Sequence, residues 1–412
     1  MRAPLLIILL WLLFSLSASS SATDGLDDYS RMRLAAEQLV RTQLPSGLFI
    51  YAFDFDTGNS SAAAELDGVA LVRQSFVAFA LAEYAARFQN PRALTAVRRF
   101  LDGAARRSLP VGKGQLQWLL EQARAYNIYR LWSHVRGTLS SFGLLYSTSG
   151  SGKLLSADGT YESAYPGATA LALAAGLRYQ EVSGDNRFEK LLGRWVEGLR
   201  AVYVPGRGFR EAPHYLSESG YLNGEAWLAL ARYAESYPHD RETAELLERL
   251  DDYVLERYRD STSRQFHHWG SMAAAQRAAM SGDRRFDDFL AGLTRQFLSS
   301  NAPALDLTSN TCHVVEGLAS SASRQAITEG TDPLATMTGE WIERLMAKNR
   351  QLQIRSDMLS RLDHIPQAAR HRDFLGGFLH SAMPLRTRVD FTAHCLNALI
   401  IMDSAGMLER AR

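Results

Sequence analysis

The 412-residue chain carries almost no surplus of charge, with 45 lysines and arginines against 44 aspartates and glutamates. A protein that holds nucleic acid needs a basic field to displace counterions from phosphate, so nucleic acid is excluded as its main partner. Cysteine is nearly missing, with two residues in the whole chain, Cys312 and Cys395. Neither lies near the N-terminus, which argues against a lipoprotein anchor. Beyond the N-terminal leader no stretch reads as an apolar run of about 20 residues, the length a membrane-spanning helix needs. No stable membrane insertion is therefore expected. The composition is not that of a disordered chain either, since 46% of residues are hydrophobic and 22% charged, an ordinary balance for a folded protein.

What is present begins with a leader. Arg2 precedes an almost unbroken apolar run from Leu5 to Leu16, and Ser20-Ser21-Ala22 puts small residues at the −3 and −1 positions of a cleavage site. Residues 1–22 are expected to be a signal peptide, with a periplasmic or secreted mature chain beginning near Thr23.

Helical spacing of apolar residues fills most of the mature chain. It predicts twelve helices, near 28–43, 68–88, 92–106, 163–180, 185–202, 220–236, 240–258, 267–280, 284–299, 308–323, 332–348 and 388–405. Two kinds alternate. Glu242 to Arg257 has a charged face and belongs at a surface, whereas Thr169 to Gly176 is apolar or small all round and must be covered on both sides. The turn Ser183-Gly184-Asp185 recurs as Ser281-Gly282-Asp283, 98 residues on, which is two hairpins of about 49. Six such hairpins account for the mature chain. The expected fold is all-α, an (α/α)6 toroid forming one domain over 23–412, with an inner and an outer ring. Long segments precede the inner helices at 44–67, 107–162, 203–219, 259–266 and 349–387. Short strands are expected within them at Gly47–Phe55 and Phe142–Ser147.

Six inner-helix N-termini at one mouth would make a shared cavity, and its polar residues are the candidates for chemistry. Charged groups on otherwise apolar helices are costly unless they face water or a partner. Glu225, Glu316, Asp390 and His394 stand out as catalytic candidates. Glycoside hydrolysis needs two carboxylates flanking the scissile bond. Arg73, Tyr165, Tyr221, Trp227, His268, Trp269 and His313 would bind substrate, the aromatic rings by stacking on sugar faces. The bland alternatives are that Glu225 serves its helix start and that Asp390 pairs with Arg388 or Arg386. Arginines at 350, 355, 361, 370, 372, 386 and 388 suggest a basic lip for an acidic polymer, or simply a solvated surface. No cofactor and no metal is expected. The cysteines leave three readings open: a disulfide between neighbouring inner helices, two buried thiols, or zinc shared with the adjacent His313 and His394.

This layout resembles the six-hairpin glycosidase superfamily of (α/α)6 toroids. Cys312-His313 and His394-Cys395 are similar to the zinc ligands of lanthionine cyclases, although the glycine after Cys-His in that family is Val314 here. Asp390-Phe391 followed by His394 resembles the C-terminal region of D-glucuronyl C5-epimerases, with Ala393 where that family has Thr. His313-x-x-Glu316 is similar to His/Glu pairs of N-acylglucosamine 2-epimerases. The resemblances imply a carbohydrate-active enzyme with a polysaccharide or oligosaccharide partner, acidic sugars included. The leading expectation is a glycoside hydrolase acting on an exopolysaccharide through paired carboxylates. The alternatives are a uronate lyase or epimerase with a histidine base, and a non-catalytic glycan-binding or secretion scaffold.

Overall fold

A computed structural model describes residues 26–61, 67–113, 146–210, 218–300, 302, 305, 308–325, 333–360 and 371–408. The leader, Phe142 to Leu145, Arg361 and Arg370 lie outside the described residues.

The helices are α1 (Asp28–Arg41), α2 (Gly68–Phe88), α3 (Pro91–Arg106), α4 (Pro166–Ser183), α5 (Glu189–Val202), α6 (Gly220–Ser236), α7 (Arg241–Arg257), α8 (Arg264–Ser281), α9 (Arg284–Ser300), α10 (Cys312–Gln325), α11 (Pro333–Gln351), the short α12 (Ser356–Ser360) and α13 (Val389–Ser404). Five short strands lie between them: β1 (Ala52–Asp54), β2 (Ser60–Ser61), β3 (Ser108–Lys113), β4 (Tyr146–Leu155) and β5 (Arg386–Arg388).

The apolar helices close into a ring. α2 packs on α4, α4 on α6, α6 on α8, α8 on α10, α10 on α13, and α13 returns to α2. Every residue of α4 from Pro166 to Leu177 is buried, as a helix lined on both sides must be. The outer helices are amphipathic. α3, for example, buries Ala93, Val97, Phe100 and Leu101 and presents its arginines outward. One apolar core joins residues from α1 through α13. The expected pairing of helices along the sequence holds for five hairpins. The sixth is circular: α1 lies in the outer ring and packs on the last inner helix, α13, where the Tyr29 hydroxyl donates to Asp403 at 2.7 Å.

The turn chemistry matches the sequence. Gly184 and Gly282 close α4 and α8 with φ of 68° and 66°, a left-handed conformation that suits glycine. Asp185 and Asp283 accept from the backbone of Arg187 and Arg285 just beyond. By composition α2 is long and apolar enough to cross a membrane, contrary to the reading that no such stretch comes after the leader. It is an inner helix of the ring, packed against α4, α13 and α3, and that burial explains its composition.

The long connections gather at the inner-helix N-termini. There β1 pairs with β2 and with β5, and β3 pairs with β4, all antiparallel. The strand expected over 47–55 is shorter than predicted. Phe49 makes only an isolated bridge to Gln43, and the ladder proper is β1. A second, small core of Phe53, Phe55, Ile354 and Phe374 seats this sheet on the ring. Four of the five described arginines of the anticipated basic lip are paired, Arg372 being the fifth. Arg350 pairs with Asp28, Arg355 with Asp357, Arg386 with Asp54 and Arg388 with Asp390.

Candidate active site

At the mouth of the ring lies a cavity of about 260 Å³. Its walls come from the N-terminal halves of the inner helices: Arg73 and Phe76 from α2, Tyr221 and Glu225 from α6, His268 and Trp269 from α8, His313 from α10, and Asp390 and His394 from α13, with Tyr165 at the start of α4. Nine of the eleven residues singled out in the sequence therefore meet here. Glycine creates space at two points. A Cβ at Gly167 would collide with the Glu225 carboxylate, and one at Gly68 would collide with the Tyr165 ring.

The other two residues lie elsewhere. Trp227, expected to stack on sugar, is fully buried; its ring stacks on Phe266 and its indole N–H donates to Asp251 at 2.6 Å. α6 turns this face toward the outer ring, away from the cavity. Glu316, expected as a catalytic carboxylate, has no exposed surface and sits beneath the cavity floor.

Glu316 organises that floor. Its Oε2 lies 2.6 Å from His394 Nδ1 and 2.6 Å from His268 Nε2, and its Oε1 accepts from the Asn397 side chain at 2.7 Å. The His313 ring stands 6.0 Å from that of His268 and 5.9 Å from that of His394. Phe76 packs against His394 with ring centres 4.3 Å apart, and Trp269 meets Phe76 edge-on. Burial pushes the Glu316 carboxyl upward, but the attraction and hydrogen bonds of His394 and His268 outweigh it and hold it at about 2. Burial drives His268 down, with Glu316 offsetting only part of the effect. Burial, reinforced by His394 and His268, lowers His313 to about 3. An ionised carboxylate thus faces two imidazoles, and His268 and His313 stay neutral near pH 7. In the neutral imidazole of His394, donation from Nδ1 to the Glu316 carboxylate would leave the lone pair on Nε2.

The upper wall is an ion-pair cluster. Arg388 grips Asp390 through two bonds, of 2.5 and 2.8 Å, and Arg73 approaches the same carboxylate at 3.4 Å while donating to the Tyr51 hydroxyl. Burial raises Asp390, but Arg388, His394 and Arg73 together bring it below the usual carboxylate range. The expected pairing of Asp390 is therefore with Arg388, and Arg386 goes to Asp54 instead.

His268, Glu316 and His394 are also a set that could hold a metal, with one ligand atom each lying within 4.8 Å of the others. Two ligands about 2.1 Å from a tetrahedral ion stand about 3.4 Å apart. The 2.6 Å contact of Glu316 with His394 is instead that of a hydrogen bond, and the 2.6 Å separation from His268 Nε2 is likewise too short for two ligands of one ion. The cysteines form a disulfide between α10 and α13, which removes both the free-thiol and the Cys/His zinc readings.

Sequence reasoning passed over Tyr51, Phe76 and Asn397. Asn397 had a signal, since it stands three residues beyond His394 on the same helix face. Tyr51 and Phe76 had none, because only the closed ring brings them to the site.

No family model and no curated protein matches the sequence. Solved structures do match the fold. The GH76A α-1,6-mannanase of Salegentibacter sp. HEL1_6 superposes with a TM-score of 0.59 at 10% identity, covering 92% of this chain and 100% of the mannanase. A D-mannose isomerase gives 0.58 at 10% identity, over 92% of this chain and 97% of the isomerase. Cellobiose 2-epimerase from Spirochaeta thermophila DSM 6192 gives 0.54 at 13% identity, over 91% and 96%. The chain has the (α/α)6 toroid fold of these sugar-active enzymes.

Proposed function

We propose that this chain is a sugar isomerase or epimerase that moves a proton at the carbon next to a carbonyl, with His394 as the base. One observation carries the reading: a fully buried, ionised Glu316 holds His394 by Nδ1 and leaves Nε2 as the available basic nitrogen. A carboxylate that fixes the tautomer of a histidine prepares it for general base work. His394 Nε2 would take the proton from the α-carbon, and the electron pair would move to the carbonyl oxygen. His313, neutral and therefore able to donate an N–H to that oxygen, would stabilise the enediol. Return of a proton to the opposite face of the same carbon gives the epimer, and its return to the neighbouring carbon gives the isomer. The cavity volume suits one sugar ring with a reducing end, being just below the ~300 Å³ at which pockets for larger ligands begin. D-mannose and cellobiose, named for two structural neighbours, are the first substrates to try.

The carboxylate-pair mechanism expected from sequence is less well supported. Glu316 is committed to two histidines and Asp390 to two arginines. An inactive variant of the mannanase replaces two consecutive aspartates. In this chain consecutive aspartates occur at 27–28, 251–252 and 287–288, and none of them lines the cavity. Hydrolysis keeps a place as a second reading because Glu225 and Asp390 do share one cavity. The disulfide also favours an oxidising compartment, in line with the proposed export to the periplasm or beyond.

The test is incubation of the purified mature chain with D-mannose, D-glucose and cellobiose in deuterated water. Deuterium should enter at C2 of a C2 epimer or at C1 of a ketose, and His394→Asn should lower the rate by at least 10²-fold, the lower range for a general base. Release of reducing ends from an α-1,6-mannan, lost in Glu225→Gln and without exchange at C2, would replace this reading with the hydrolase.

A further inference from the structure

The two cysteines stand next to two histidines of the cavity, His313 and His394, whose rings are 5.9 Å apart. Cys312 precedes His313 at the first turn of α10, and Cys395 comes directly after His394 on α13. Their α-carbons are 4.8 Å apart, and both side chains are fully buried. Successive residues on a helix diverge by about 100°. The sulfurs therefore sit behind the floor while the imidazoles line it. Asn310 ties the same corner together. Its side-chain oxygen accepts from the Cys312 backbone at 3.0 Å, and its amide donates to Cys395 Sγ at 3.2 Å.

The seam that the disulfide crosses carries part of the site. The contacts of Glu316 with His394 and with Asn397 both run from α10 to α13. The other seams of the inner ring are held by packing and hydrogen bonds, and the chain has no further cysteine with which to bridge them. A staple meant only to secure a barrel gains nothing from abutting His313 and His394. One meant to fix their separation has to be there. Two thiols need more room than one bridge, so reduction must open the seam around them, and the imidazoles one residue away must move with it. A displacement on the order of 1 Å at reacting groups is enough to cost roughly 10² in rate.

We propose that the Cys312–Cys395 disulfide is a positioning device for the histidine pair, so that the site is assembled only in the oxidised protein. The catalytic consequence rests on the isomerase or epimerase reading, whereas the positioning itself does not.

The experiment uses the full mature chain labelled with ¹⁵N-histidine. It compares the oxidised protein, the same sample reduced with a phosphine, and the Cys312→Ala/Cys395→Val double variant. Glu316→Gln identifies the low-field proton of His394 Nδ1–H by its loss. The oxidised protein should show that resonance, and it should shift or broaden away in the reduced protein and in the double variant while both still unfold cooperatively. With sugar, kcat should drop by 10-fold or more with KM within 2-fold, and reoxidation should restore both the rate and the resonance. An unchanged resonance after reduction overturns the proposal, whatever the activity. So does unfolding of both the reduced protein and the double variant at 25 °C, which would make the bridge a staple of the fold alone. A resonance that responds to reduction in a protein that turns over no sugar upholds the positioning role and counts against the isomerase reading only.

Discussion

Glu316 is a carboxylate without solvent contact, and its ionised form persists because two imidazoles and an amide point at it. Its pKa of about 2 in the fold, against an ordinary 4.5 for a glutamate in water, has a consequence for acid stability. The unfolded chain takes up this proton first as pH falls, so the stability that Glu316 contributes is complete above about pH 4.5 and is lost as pH drops toward 2. The difference corresponds to about 3 kcal/mol. His313 acts in the same direction, since burial lowers it to about 3 and the unfolded chain again binds its proton earlier. Urea unfolding measured from pH 7 to pH 3 should therefore show stability falling steadily from about pH 6.5. Glu316→Gln should be less stable at neutral pH by about 3 kcal/mol and should decline less steeply below pH 4.5. Parallel curves for parent and variant would mean that Glu316 is not held ionised in the fold. Gly167→Ala is a second probe at this scale. The new methyl group would push the Glu225 carboxylate aside, and turnover should fall while the melting temperature changes by only a few degrees. Full activity in this variant would place Glu225 outside the chemistry.

At the scale of elements, the sequence is legible where a helix has one job. Apolar composition on all sides marks α4 and α13 as inner helices, a charged face marks α7 as an outer one, and Gly-Asp pairs mark the turns after α4 and α8 with matching backbone angles. It is less legible where one helix serves two faces. On α6, Glu225 and Trp227 are two residues apart, and one faces the cavity while the other joins the Asp251–Arg277 pair against α7 and α8. Periodicity alone does not say which polar or aromatic residue on an all-apolar helix looks inward, because that depends on how the ring is rotated. The same ambiguity hid the role of Glu316, whose charge suggested a wet cavity when its partners were two histidines from neighbouring helices. Asp251 makes the distinction measurable. It accepts from Trp227 and from the Arg277 guanidinium at full burial, so Asp251→Ala strands a buried cation and should cost about 3–5 kcal/mol in urea unfolding. Turnover per folded molecule should stay at the parent level, and a variant that keeps its stability but loses activity would return Trp227 to the site.

The whole molecule is a ring sealed at two places that sequence distance conceals. One is the α1–α13 contact, where Asp403 receives the Tyr29 hydroxyl and the Arg87 guanidinium. The other is the disulfide, whose cysteines are 83 residues apart. In the chain-entropy description a loop of that length is worth about 4.5 kcal/mol. Spread over a domain of this size it should lower the melting temperature by roughly 5 °C on reduction, as read by a calorimetric scan with and without phosphine. A fall much larger than this would mean that the bridge holds more of the fold than its loop entropy accounts for.

The order of the ring helices along the chain bears on how the protein is made. Asp390 and His394 sit on α13, after every other inner helix. During synthesis the first five inner helices precede α13, so that α1 lacks its neighbour in the ring and Glu316 lacks two of its three partners. Nothing in that intermediate can carry out the proposed proton transfer. The cavity, its proposed base and its disulfide are completed by the same short stretch of chain, so a molecule truncated before Val389 should lack the proposed activity.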